Sequence, residues 1–346
     1  MTMKRILVAG AGVVGLWQAL ALSRAGHAVT LCDRSPNPNA TSASHYAGAM
    51  LAPWCEAEAA PDVVRDLGVR GLAQWRDLFP GVVTNGSLVI AAARDRSELV
   101  RFGKRTTNFE WIDADRLAQL EPVLGGRFSD ALYFAEEAHM SGMDALAFLF
   151  EAVHASGCAI ALGQDLNEFD QSSFDVVVDA RGLAAQGDIP DLRGVRGERV
   201  LVRCRDIDLK RPVRLLHPRH PLYIVPWPDH TYMIGATVIE NEEEGAASVR
   251  SVLELLGAAY AVHPAFADAE ILDIGAGVRP SFPDNVPRIL VSERSKVIRA
   301  NGAYRHGFLL APTMAEAVVG WLVTVETSHP LVHCQAATAA VETLPQ

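Results

Sequence analysis

Paired cysteines, long apolar runs and positive charge are all scarce in this chain of 346 residues. Its five cysteines (Cys32, Cys55, Cys158, Cys204 and Cys334) are scattered, odd in number and without C-x-x-C spacing. That usage argues against a disulfide framework or a zinc site and predicts free thiols in a reducing, cytoplasmic compartment. No uninterrupted apolar run reaches the roughly 18 residues that a membrane helix requires. A net charge of −10, with no basic stripe among aromatics, leaves no electrostatic footprint for nucleic acid. None of the eleven histidines falls in an H-E-x-x-H pattern, so no metal is expected, and the G-x-S-x-G of a serine hydrolase is missing too. The remaining composition, 49% hydrophobic and 21% charged, is that of a globular chain. Its length makes two domains the natural prior.

The most informative stretch lies near the start. Ile6 to Ala9 form a short apolar run of the kind a buried parallel strand needs. Gly10-Ala11-Gly12-Val13-Val14-Gly15 then fits G-x-G-x-x-G. Gly10 permits the tight turn, Gly12 lets backbone approach a pyrophosphate, and Gly15 lets the following helix pack close to the strand. Val13, Leu16, Leu20 and Leu22 suit that helix, whose N-terminal N–H groups would face the pyrophosphate. Gly26 stops it, and "AVTLCD" reads as a second strand ending in Asp33. An acid about twenty residues after the glycines accepts hydrogen bonds from a ribose diol. An ordinary βαβ unit without ligand is the plainer reading, and strand, motif, helix and terminal acid in register argue against it. The glycine spacing, Arg24 and the lack of a small-residue cleavage pattern argue against a signal peptide. The motif binds NAD(P) or FAD, and by itself it does not choose.

Residues 34–53 lack a clear period and read as a long loop, a feature usually functional inside compact domains. Residues 62–79 look helical, with Val63, Leu67, Leu72 and Trp75 on one face. A strand is expected over 86–92, a capped helix over 113–122, a strand from 131, and a strong helix over 143–157. Two short strands follow, "CAIAL" and "SFDVVVDARG", the second ending in the turn Asp179-Ala180-Arg181-Gly182. Such a turn suits the side of a dinucleotide or the plain end of a strand. From 196 the segments "GERVLVRC", "LYIVPWP" and "TYMIGATVI" suggest an antiparallel sheet. A helix over 249–264 precedes a strand, a Gly-containing turn and a helix over 295–323. The order implies two domains that the chain crosses more than once, with a deep site at the seam.

Five pieces, "GAGVVG", "SASHYAGAMLAP", "LYIVPWPDHTYMIGAT", "GVRPSFPDNVPRI" and "NGAYRHGFLLAPTMAEAV", span nearly the whole chain. Together they resemble the D-amino-acid-oxidase superfamily of FAD enzymes, most of all its glycine-oxidase branch of thiamine biosynthesis. The resemblance implies an α/β fold (α+β overall): a Rossmann-like FAD-binding domain interleaved with a substrate domain built on an antiparallel sheet. The expected FAD-binding parts are residues 1–80, 140–195 and 275–346. Residues 81–139 and 196–274 then make the substrate domain.

By the same resemblance Gly10, Gly12, Val13, Val14 and Gly15 sit at the pyrophosphate, with Asp33 and Arg34 by the adenosine ribose. Ala43, Ser44, Gly48, Ala49 and Met50 match the loop that passes the flavin ring, where small residues let backbone lie close to a planar ligand. Leu166, on the short strand after Gly157, matches the adenine contact, and Gly182 lies beside the cofactor. Ala303, Tyr304, Arg305, His306, Gly307, Phe308 and Leu309 match the segment whose N–H groups support negative charge near flavin N1 and O2. Tyr223, Arg279 and Arg305 match the groups that hold an amino-acid substrate, Arg279 as a bidentate fork for its carboxylate. Without the resemblance, Tyr223 reads as plain core and Arg279 as a surface arginine near a strand end. Val238, after "GAT", is expected on the pocket wall.

The implied chemistry needs no strong general base. A carboxylate clamp positions Cα–H, a hydride passes to FAD, and dioxygen takes the electrons to give hydrogen peroxide. Cys334 matches no attachment motif, so the FAD is expected to be non-covalent. Substrates left open are glycine, sarcosine, a small D-amino acid or an opine. A dehydrogenase of the same fold that passes electrons to a partner is the nearest rival. A non-catalytic flavoprotein would not need a carboxylate clamp, and an NAD-dependent dehydrogenase predicts a colourless protein. Relatives of this kind often form homo-oligomers, for which the residues give no independent argument.

Overall fold

Ile6, Leu7, Val8 and Ala9 are all buried, which requires a strand covered on both faces. In the computed structural model, which describes residues 2–217, 221–292, 294–324 and 328–334, Arg5–Ala9 lies inside a seven-stranded sheet. The spatial order is Val332–Cys334, Arg288–Val291, Val297–Asn301, Val176–Asp179, Arg5–Ala9, Ala28–Asp33 and Ala159–Leu162. From Val297–Asn301 to Ala159–Leu162 every pairing is parallel. The helices Val13–Arg24, Gly142–Ala155 and Gly307–Thr324 contribute to the core beside this sheet.

The second sheet has eight strands, in the order Glu270–Ser281, Arg193–Arg203, Thr231–Gly235, Leu222–Trp227, Val213–Leu216, Ser87–Ala91, Asp130–Phe134 and Glu110–Asp113. All its pairings are antiparallel except Val213–Leu216 with Ser87–Ala91. The helix Val249–Val262 shares its core. The chain thus passes between the sheets four times, as its alternation of patterns implies. Arg193–Arg203 and Glu270–Ser281 pair with each other along their length, so residues 193–195 and 275–281 side with the eight-stranded sheet.

Some local readings differ. The helix Asp62–Leu78 buries Val64 rather than Val63, together with Leu67, Leu72 and Trp75, because Gly68 and Gly71 set the contact line. A Cβ on Gly71 would overlap the carbonyl oxygen of Leu309. Trp75 Nε1 also donates to the Phe308 carbonyl at 2.6 Å, so this helix anchors the start of Gly307–Thr324. Leu166 opens a 3₁₀ turn, Leu166–Glu168, capped by Asp165, and does not lie on the strand Ala159–Leu162. The terminal helix is long and apolar enough, by composition, to cross a membrane, with a mean hydropathy of 1.4. Thr313 and Glu316 interrupt its apolar run, and 61% of it is buried against the rest of the chain, as in a core helix.

Candidate active site

A cavity of about 450 Å³ runs from the glycine motif to the eight-stranded sheet. Every residue singled out above as cofactor- or substrate-binding lines it except Gly15. Gly15 instead packs the helix onto the turn, since a Cβ there would overlap the carbonyl oxygen of Gly10. Gly10 has φ +104°, and a Cβ on it would come 2.5 Å from the Ala180 carbonyl oxygen. Gly12 is different in kind: its nearest neighbour would be Ser44 Oγ at 3.4 Å, so this backbone faces the groove. The helix that follows has neither a side-chain cap at Gly12 nor an acid in its first turn, which leaves its positive end for an anion. Ser44 Oγ accepts from Val13 N–H at 3.1 Å, tying the 34–53 loop to this helix start. Asp33 accepts from the N–H groups of Ala11 (2.6 Å) and Ser35 (2.8 Å), which fixes its carboxylate at the strand end.

The middle of the cavity is shaped by close backbone approach. Ala49 and Tyr304 hold φ of +54° and +48°, rare for residues with a Cβ. A Cβ on Gly48 would overlap Met233 Cε and meet Tyr223 Cε2 at 3.3 Å, so the loop lies directly against the tyrosine strand. Gly307, at the start of the terminal helix, would meet Val13 Cγ1 at 3.5 Å. Two helix N-termini therefore converge on one cavity. Gly182, at φ +62°, accepts through its carbonyl from Asn301 Nδ2 at 2.9 Å, which joins the two strand-end turns.

At the far end the two arginines differ. Arg279 Nη1 donates to the carbonyls of Thr237 (3.2 Å) and Arg196 (3.5 Å), and among the described residues it forms no ion pair. Its guanidinium occupies the space that a side chain at Gly197 would fill. Burial, above all, lowers its pKa from the usual arginine value, the mark of a cation with no anion beside it. Arg305 instead meets Glu56 in a two-point contact, Nε to Oε2 at 3.0 Å and Nη2 to Oε1 at 3.2 Å. Burial would raise the Glu56 pKa, but Arg305, His306 and Arg214 hold it below the ordinary carboxylate range. His306 Nδ1 stands 3.4 Å from Glu56 Oε2 without an aligned hydrogen bond. Burial pushes that imidazole down to about 4, so it is neutral at pH 7.

Val238 is a correction. It is 52% exposed and off the cavity wall, where Ala236 stands instead. Reading the sequence alone missed Glu56, Tyr46 and Arg199, all on the wall. Glu56 sits in the Ala- and Glu-rich stretch "EAEAA", where one acid has nothing to set it apart. Arg199 lies in an alternating strand, where a charge reads as the solvent face.

An uncapped helix start, glycines that open backbone to the groove and an unpaired arginine at the other end together suit a dinucleotide and an anionic substrate. The profile of the DAO family, FAD dependent oxidoreductase, matches residues 5–321, and the chain belongs to that family. It is 49% identical over 321 residues to a Rhizobium etli protein named thiamine biosynthesis oxidoreductase ThiO, covering 92% of this chain and 97% of that one. A glycine oxidase of Pseudomonas aeruginosa is 24% identical over 355 residues, 89% of this chain and 92% of its own. The crystal structure of glycine oxidase from Geobacillus kaustophilus superposes with a TM-score of 0.78 at 23% identity, covering 94% and 96% of the two chains. That last likeness establishes the fold. The protein is an FAD-dependent oxidoreductase.

Proposed function

We propose that this chain oxidises glycine, or an amine of similar size, to the imine and passes the electrons to dioxygen, serving thiazole formation in thiamine biosynthesis. The observation that carries this reading is Arg279, a buried cation without a carboxylate beside Tyr223 on a cavity that begins at a dinucleotide motif. The names of the Rhizobium and Pseudomonas relatives support the substrate and the pathway. FAD, when bound, supplies the acceptor for the hydride leaving the substrate Cα. Gly10, Gly12 and the Val13–Arg24 helix start would hold its pyrophosphate, and 43–50 with 303–309 its ring. We further propose non-covalent attachment. Cys32 is the one cysteine on the cavity wall among the described residues, and burial pushes its thiol up to about 12, while Cys334 is exposed elsewhere.

The chain's own groups then act by position. Arg279 and Tyr223 would hold the substrate carboxylate and so fix the orientation of the Cα–H bond. Neither Glu56, with its lowered pKa, nor neutral His306 is a strong proton acceptor, so the amine enters already deprotonated. The domain reading follows the sheets: residues 1–80, 140–192 and 282–334 for the cofactor, 81–139 and 193–281 for the substrate. Residues 335–346 lie outside the described residues. The test is peroxide formation by the purified yellow protein with glycine in air. Stoichiometric peroxide with glycine consumption supports the oxidase. Turnover with an artificial dye but no peroxide would replace it with a dehydrogenase.

A further inference from the structure

Arg199 is 1% exposed and belongs to no part of the mechanism above. It stands opposite Gly275 on one neighbouring strand and Gly235 on the other, and Gly235 stands opposite Tyr223. One row across four adjacent strands therefore reads Gly275, Arg199, Gly235, Tyr223. The next position along Arg193–Arg203 on the same face is Gly197, over which Arg279 lies. Arg199 is thus a further arginine on the wall that carries Arg279 and Arg305, with Gly197 clearing the way to Arg279 and Gly235 the way to Tyr223.

Its guanidinium is poorly satisfied. Nη2 lies 2.8 Å from Asp273 Oδ2, yet that contact is not aligned as a hydrogen bond, and Nε and Nη1 have no partner either. Asp273 is itself 46% exposed, so water weakens its compensation. Apart from that one ion-pair contact, the guanidinium's donors meet no acceptor among the described residues and lie away from solvent, which is costly unless something polar meets them. What covers them is the ring of Tyr46, whose centroid lies 5.3 Å from Arg199 Cζ. The ring lies on Gly275 and Gly277: a Cβ on the first would overlap it, and one on the second would meet Cδ2 at 3.0 Å. Tyr46 ends the short 3₁₀ turn Ala43–Tyr46, is half-buried, and lines the cavity. A cation–π contact offsets only part of the missing hydrogen bonding.

We propose that Arg199 is a second anion-binding group of this cavity, with Tyr46 its movable cover, and that besides glycine the site takes amino acids carrying a second carboxylate. When Tyr46 swings off the glycine seat, the carboxylate at the far end of such a substrate replaces the ring and accepts two hydrogen bonds from the guanidinium. Arg279 and Tyr223 hold the first carboxylate as before. The proposal rests on the amino-acid oxidase reading, and its test separates the two.

The test uses the FAD-loaded protein. Anaerobic bleaching of the visible flavin band is followed with glycine, D-alanine, D-aspartate and D-glutamate, for wild type, Arg199→Met and Tyr46→Ala. In parallel, malonate and acetate, which carry no amine, are titrated against the same band. Two lost charge-assisted hydrogen bonds predict that Arg199→Met lowers the ratio of dicarboxylate to glycine efficiency by about 30-fold, with the malonate-to-acetate affinity ratio falling alike. Tyr46→Ala, which keeps Arg199, is expected to raise both ratios several-fold. Wild type that reduces D-aspartate no better than D-alanine, or an Arg199→Met ratio within about threefold of wild type, overturns the proposal. If no amino acid bleaches the band, the oxidase reading fails instead, and the malonate-to-acetate ratio still decides whether Arg199 binds a second carboxylate.

Discussion

Arg279 and Arg305 lie on one cavity wall, and their partners give them opposite parts. With Glu56 held against it, Arg305 presents little net charge, whereas Arg279 donates to backbone carbonyls and forms no ion pair among the described residues. Arg279→Met should therefore raise the KM for glycine on the order of 100-fold while FAD remains bound. Steady-state kinetics checks it, and an unchanged KM would remove Arg279 from the clamp. Glu56→Gln should act differently, leaving Arg305 partly enclosed and unpaired. Because the two side chains are 21% and 15% exposed, the loss falls below the ~3–5 kcal/mol of a fully enclosed pair, at roughly 2 kcal/mol. A lowered Tm with tighter acetate binding is the expected result. Tighter binding without a lower Tm, or the reverse, would show that the pair does not link the two. That Arg279 and Tyr223 line one cavity was legible through the resemblance of the motifs around them. Glu56 was not, because its role comes from a contact with a residue 249 positions away.

Among the secondary-structure elements, glycines decide where helices come close. At Gly15 and at Gly71 a Cβ would overlap a backbone carbonyl, which cannot move aside as a side chain can. Gly15→Ala is expected to prevent FAD retention, and Gly71→Ala to lower the Tm by displacing the start of the terminal helix. Gly26→Ala is the comparison: nothing lies within 4 Å, and only its φ of +87° opposes the change. Its cost should be about 1 kcal/mol, with FAD binding intact. Thermal melts and FAD titration of the three variants separate close approach from backbone conformation. Helix existence and rough length were legible from periodicity, as with Asp62–Leu78. The face was not, because Gly68 and Gly71 carry no hydrophobic signal yet set the contact line and put Val64 inward. The 3₁₀ turn that holds Leu166 is too short to leave a period.

For the molecule as a whole, Glu137 ties the two sheets' neighbourhoods together. Its Oε1 accepts from Cys55 N–H at 2.7 Å, beside the cavity loop, and its Oε2 makes a short contact with Ser87 Oγ, at the start of an inner strand of the second sheet. Complete burial pushes its carboxyl up to about 8, so the folded state holds a proton that the unfolded chain releases near 4.3. Stability from this group is full below the ordinary carboxylate range and is lost as pH rises through about 8. Glu137→Gln keeps the amide-like geometry without the proton. Its Tm relative to wild type should climb between pH 5 and 8 and then level off. A constant difference across that range would mean that Glu137 is ionised in the folded state. The alternation of patterns along the chain made two interleaved units legible. Register was not, since the row of Gly275, Arg199, Gly235 and Tyr223 comes from three separate pairings, each free to slip in the sequence alone.

In the proposed function an amino acid held by Arg279 reduces FAD bound in this cavity. Glycine added anaerobically to the purified yellow protein tests it most directly, with the visible band followed in wild type and Arg279→Met. Saturable bleaching is expected in wild type, and in the variant an unaltered starting spectrum with on the order of 100-fold more glycine needed. Identical glycine dependence in both would contradict it, and a colourless protein that takes up no added FAD would contradict it more deeply.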